Sequence, residues 1–190
     1  MNLSEALRGR VSLAKLRPDE VPRELIEQIL EDAIWAPVHK MTEPWRFWVW
    51  RGDARERLAQ LFIENYRRDH PHATAEELAG PGQKTAERIR HAPVTIVVTC
   101  DAGRNEIETL ENYASTAIAT QHILLAAHAA GLGAYWRTGE GAYTQPNALL
   151  ELLELPGETK IVGLLLLGYP EEQEKKRRRT SASEKTTWFE

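Results

Sequence analysis

Residues 36–47 read Ala36-Pro37-Val38-His39-Lys40-Met41-Thr42-Glu43-Pro44-Trp45-Arg46-Phe47, a stretch that closes a helix, turns sharply and opens a strand. The helix before it is written in Leu25, Ile26, Ile29, Leu30, Ala33 and Ile34, apolar at three-to-four spacing, with Pro22 suited to a first helical turn. It cannot run past Ala36, because Pro37 disfavours the helical region for the residue before it and has no amide hydrogen. Beyond Pro44, Arg46 to Arg51 is aromatic and β-branched and reads as a strand that Gly52-Asp53 ends. Two prolines stiffen the connection and fix where His39, Lys40, Thr42 and Glu43 point. Such a corner either holds a ligand or is a plain turn whose polar groups face water.

Outward from the corner, helices are expected at about residues 2–8, 22–35, 53–69, 75–91, 107–130 and 145–153, and strands near 46–51, 94–100, 133–137 and 161–168. Helices outnumber strands without strict alternation, which predicts an α+β domain with helices on a small mixed or antiparallel sheet. The long Ala-rich helix would bury Ala114, Ala117, Ile118, Gln121, Leu124, Leu125 and His128 along one broad face, with Gly131 as its stop. Its small residues permit packing within the subunit or against a second copy. A single domain over residues 1–190 is expected, with residues 175–190 as a basic C-terminal extension.

Composition excludes several function classes. Lys and Arg number 24 against 28 Asp and Glu, a net charge of −4 that argues against nucleic acid or an anionic membrane as partner. The amino end lacks the apolar core of a secretory signal and Ile161–Leu167 is too short to span a bilayer, so a cytoplasmic protein is expected. Cys100 is the only cysteine, which rules out an internal disulfide, and the histidines lack metal-ligand spacing. No GxSxG, HExxH, GxxxxGK or GxGxxG motif is present. If the chain is an enzyme, a cofactor carries the difficult step while the protein binds, orients and sets the local field.

Three polar islands could form such a cofactor site: Arg10 with Ser12 and Lys15; His39 with Lys40 and Glu43; and Trp136-Arg137-Thr138-Gly139. A fourth is the run Lys175-Lys176-Arg177-Arg178-Arg179, which reads either as a phosphate contact or as a solvated charged tail.

In this order, Arg-x-Ser, the Ala-Pro-x-His-Lys-x-x-x-Pro-Trp-x-Phe corner, the Trp-Arg-Thr-Gly strand end and Ile-Val-Gly-Leu-Leu-Leu-Leu-Gly-Tyr-Pro span Leu7 to Pro170, and the combination resembles the nitroreductase family of FMN-dependent oxidoreductases. The resemblance is nearest to the short bacterial branch with a His-Lys corner. It implies a nitroreductase-like α+β homodimer with a small, mostly antiparallel sheet and FMN at the subunit interface. It further implies ping-pong transfer of hydride from NAD(P)H through the flavin to a small electron-poor acceptor such as a nitroaromatic, quinone or enone, with no catalytic side chain of its own. An FMN carrier or sensor without nicotinamide turnover is the alternative. By the same resemblance Arg10, Val11 and Ser12 match the segment near the FMN phosphate and ribityl chain, Trp35 and His39 the corner contacts, His39 coming from the partner subunit, and Trp136, Arg137 and Thr138 the element beside the flavin. Arg177 and Arg179 match a basic pair that reaches the phosphate, and Ala126 to Gly131 the nicotinamide contact. Residues 68–83 would form a variable cap over the slot. Two positions depart from the family pattern: Val11 replaces an arginine and Glu43 an amide, so Glu43 would face solvent, pair with Lys40 or Arg46, or lower the flavin potential.

Overall fold

A computed structural model of the chain describes residues 1–78, 80–138, 146–171 and 178–190. Helices α1 (Leu3–Gly9) and α2 (Arg23–Ala33) lead through a short 3-10 turn (His39–Met41) into strand β1 (Trp45–Arg51). Helices α3 (Ala54–Asp69), α4 (Ala75–Leu78) and α5 (Pro81–His91) follow, then β2 (Val94–Cys100) and α6 (Glu106–Ala129). Strand β3 (Gly133–Arg137), α7 (Pro146–Leu152) and β4 (Lys160–Gly168) complete the fold. The stretch expected as one helix over 75–91 is two, because Pro81 opens α5 at its first position, where a missing amide hydrogen costs nothing.

The four strands lie in the order β1-β2-β4-β3, each pair antiparallel, as the α+β expectation required. β2 is buried along its whole length, which its unbroken apolar run anticipates for a central strand. On one face Val94, Ile96, Val98, Leu165 and Leu167 pack under α2 and α6; on the other Val97, Leu164 and Leu166 pack under α3 and α5. Each such side chain contributes about 1.5–3 kcal/mol on full burial.

β4 carries one irregularity that matters for the site. Val98 pairs with Gly163 but Thr99 with Ile161, so Val162 is an inserted residue, a β-bulge. The insertion puts Ile161 and Leu164, three apart in sequence, on the same face of the sheet.

Helix α6 departs from expectation in which side it buries. Its sheet-facing stripe is Asn112, Ser115, Thr116, Ala119, Thr120, Ile123, Leu124 and Ala127, and Thr116 and Thr120 donate their hydroxyls to the carbonyls four residues back at 2.9 and 2.8 Å. Of the face read as core, only Leu124 is fully buried, whereas Ala114 and Ile118 are exposed. Ile107 and Leu110, further toward the amino end, are 73% and 70% exposed. Small residues and self-satisfied hydroxyls let α6 lie close on the sheet, leaving its larger apolar side chains outward. Gly131, at φ 78°, caps the helix, with Leu132 N–H donating to Ala127 carbonyl at 2.8 Å.

Candidate functional site

The segment after α1 is held against β3 by backbone hydrogen bonds. Ser12 bridges Ala134, Leu13 N–H donates to Ala134 carbonyl at 3.0 Å, and Arg17 N–H to Tyr169 carbonyl at 2.7 Å. Arg10 and Ser12, both half-buried, therefore lie along the same sheet edge as Trp136, Arg137 and Thr138. Val11 turns inward onto the core beneath α3 and α5. Glu171 N–H donates to Lys15 carbonyl at 3.3 Å, so the chain leaves β4 beside this segment. Lys175, Lys176 and Arg177 of the basic run lie outside the described residues; Arg179 is exposed and donates to Arg178 carbonyl at 3.2 Å.

His128, near the end of α6, closes one side of this patch. A Cβ on Gly9 would fall 2.8 Å from its Nε2, so the absent side chain at Gly9 permits the approach. Burial first, and the Arg10 charge second, hold the His128 imidazole below its ordinary pKa. It is therefore neutral at neutral pH and leaves the positive charge to Arg10.

Trp136 and Arg137 alternate along β3 and point to opposite faces. The Trp136 indole N–H donates to Val162 carbonyl, 3.1 Å away at the bulge, and the ring lies across Gly163, where a Cβ would come within 2.2 Å of Nε1. Arg137 runs beneath α5, 8% exposed, and donates from Nη2 to Thr85 Oγ1 at 3.2 Å.

The corner lies elsewhere. It feeds β1, whereas the Arg10–Ser12 segment lies on β3, and three interstrand spacings, roughly 14 Å, separate the two edges. Of the three islands, one chain thus joins the first and third and leaves the corner apart. Trp35 is 82% exposed, and His39 and Lys40 are exposed too. Glu43 faces solvent, and Arg46 pairs with Asp101 at 2.6 Å, giving Glu43 only a bond to its backbone carbonyl at 3.0 Å. A cavity of about 920 Å³ between the start of α6 and the α7–β4 connection, lined by Leu110, Tyr113, Leu150 and Ile161 among others, contains none of the expected cofactor contacts.

Sequence reasoning did not foresee the placement of three residues. Gly163 reads as part of an apolar strand, and only an isolated glycine in that run hints at a bulge. His128 reads as core, with no sign that the fold brings it to Arg10. Asn112 sits in an Ala-rich helix, where a poor helix former is the one available signal.

An antiparallel sheet between helices, with the Arg10–Ser12 segment bound along its β3 edge, defines an α+β protein. The sequence model of the nitroreductase family matches residues 7–169, and the chain belongs to that family. A relative from Methanothermobacter thermautotrophicus, provisionally assigned as an NADH dehydrogenase/NAD(P)H nitroreductase, is 33% identical over 90% of this chain and 79% of its own length. Among solved structures, a nitroreductase-like family protein of Bacillus cereus superimposes with a TM-score of 0.88 at 29% identity, covering 100% of this chain and 97% of its own. A provisionally assigned nitroreductase of Desulfovibrio desulfuricans, solved in complex with FMN, gives 0.73 at 30% identity over 96% and 95%. The chain is a nitroreductase-like oxidoreductase. Among the described residues, no helix is long and apolar enough to cross a membrane.

Proposed function

We propose that the chain is an FMN-dependent oxidoreductase that passes hydride from NAD(P)H to an electron-poor nitroaromatic, quinone or enone by a ping-pong mechanism, as a homodimer with FMN at each interface. The observation that supports this is the parallel bridge between Ser12 and Ala134, with Leu13 N–H donating to Ala134 carbonyl, which lays the Arg10–Ser12 segment along the strand that ends in Trp136 and Arg137. Their chemistry fits FMN. A guanidinium and a hydroxyl suit a phosphate, each charge-assisted hydrogen bond contributing roughly 1.5–3 kcal/mol. Bound FMN supplies the hydride acceptance and donation for which no side chain here is equipped.

The chain's own residues bind, orient and exclude water. Arg10 and Ser12 anchor the phosphate, together with Arg177 and Arg179. Trp136, Arg137 and Thr138 cradle the ring system, by side chain or by the backbone of the strand end. Trp35 and His39 close the site across the interface, for one chain keeps its corner roughly three strands from its own patch. The outward stripe of α6, Ile107, Leu110, Ala114 and Ile118, supports this pairing, because apolar side chains at helical spacing with nothing over them mark an interface. The end of α6, Ala126 to Gly131, offers the nicotinamide contact, and residues 68–83 border the acceptor slot.

Purified protein tests this directly. Bound or reconstituted FMN that NADH or NADPH bleaches without oxygen, and that an electron-poor acceptor then reoxidises, is the expected result. FMN that neither nicotinamide bleaches identifies a carrier or sensor, and a chain that takes up no FMN refutes both.

A further inference from the structure

The corner is strained. Lys40, Met41 and Glu43 have φ of 50°, 55° and 42°, a left-handed region that residues other than glycine enter rarely, and none of the three is glycine, asparagine or aspartate. Conformations of this kind persist only where neighbouring contacts over-determine them, and they concentrate at functional sites.

Here the contacts converge on Thr42, the right-handed residue between Met41 and Glu43, at φ −68° and ψ −27°. Its amide donates to His39 carbonyl at 3.2 Å, and its hydroxyl donates to Asn112 Oδ1 at 2.8 Å. Asn112 is 4% exposed, and its Nδ2 donates to Asp101 carbonyl at 3.3 Å. Asp101 N–H donates in turn to Pro44 carbonyl at 2.8 Å, and Arg46 is held by Asp101 while donating to Glu43 carbonyl. The loop from His39 to Pro44 is thus fastened at Thr42 to the Asn112 amide on α6 and at Pro44 to Asp101, whose carbonyl the same amide holds. Asparagine is a poor choice inside a helix, and a buried amide is costly unless every bond it makes is kept. Helix packing alone does not call for it.

We infer that Asn112 is a positioning residue: through Thr42 it fixes the left-handed corner and so sets where His39 is presented to the flavin. This rests on the FMN site proposed above, with His39 as the group that touches the cofactor.

The test compares Asn112→Leu, Thr42→Val and Thr42→Ser, each alone, the first two combined, and each of the first two in a His39→Ala background. Affinity for FMN is read by quenching of flavin fluorescence, and the seating of the ring by visible circular dichroism. Asn112→Leu and Thr42→Val should each weaken FMN binding roughly tenfold, the cost of one lost hydrogen bond at a buried polar group, and alter the flavin dichroism. The double variant should lose no more than either single one, Thr42→Ser should bind as the native chain does, and neither loss should appear once His39 is alanine. If Asn112→Leu does not fold, Thr42→Val at the half-exposed corner decides alone. Native affinity and dichroism in Thr42→Val, losses that add, or losses that persist without His39 each overturn the assignment. A native chain that takes up no FMN overturns the cofactor site and this assignment together, whereas FMN uptake with unaffected variants overturns this assignment only.

Discussion

Replacing Gly163 by alanine tests how the sheet seats Trp136. A Cβ built there falls 2.2 Å from Trp136 Nε1, 2.7 Å from its Cδ1 and 2.8 Å from Arg137 carbonyl, all closer than real Cβ contacts allow. The indole must swing away, and its bond to Val162 carbonyl goes with it. Overpacking a dense interior costs about 1–3 kcal/mol. A hydrogen-bonding group left unpaired where it is half-buried costs about 1–3 more, so Gly163→Ala should destabilise by about 2–6 kcal/mol. Urea denaturation with unchanged m-value reads that loss as a lower midpoint. In a Trp136→Ala background the penalty should fall but not vanish, since Arg137 carbonyl remains in the way. Gly157→Ala is the control: nothing lies within 4 Å of a Cβ there and its effect should be near zero. A Gly163→Ala protein with the native midpoint, or one whose loss is unaffected by removing Trp136, refutes the proposed seating.

Arg10→Glu should weaken FMN at least tenfold while far-ultraviolet dichroism stays helical, since one charge-assisted contact of about 1.5–3 kcal/mol is lost and a repulsion added; unchanged flavin occupancy would discard the phosphate assignment. Ile118→Arg on the outward stripe of α6 should convert a dimer into a folded monomer with little FMN, read by sedimentation; a native chain that sediments as a monomer refutes the interface. His128 binds its proton less readily folded than unfolded, because burial and Arg10 oppose the charge. Its contribution is therefore fully present above about pH 6.5 and is lost as pH falls through the depressed folded value, so His128→Asn should flatten the decline of the urea midpoint below pH 6.5. A native and a variant chain with the same pH slope would remove His128 from the account.

Strand β2 and the turn from α2 into β1 were legible because each depends on near neighbours in sequence: an unbroken Val/Ile/Thr run, and prolines that forbid a continued helix. The Arg10–Ser12, His39–Lys40 and Trp136–Thr138 segments were legible as polar islands for the same reason, and the motif order carried the family. Their grouping was not. The sheet-facing side of α6 was not legible because hydrophobicity alone ranks Ile118 and Ala114 above Asn112 and Thr116, whereas close packing on the sheet favours small side chains whose hydroxyls bond their own helix; of the two packings open to the Ala114–Ile118 face, within the subunit or against a second copy, one chain leaves the second.

By itself the amino-acid sequence settled the four strands and the α+β class, which follow from local steric rules and periodicity, and the family, through the resemblance its motif order carries. Only the tertiary structure decided that Arg10 and Ser12 meet β3 while the corner lies at the far edge, that Val162 bulges to receive the Trp136 indole, and that Asn112 fastens Thr42. Those outcomes depend on strand order and register, which are fixed by contacts between residues tens of positions apart and leave no periodic trace along the chain.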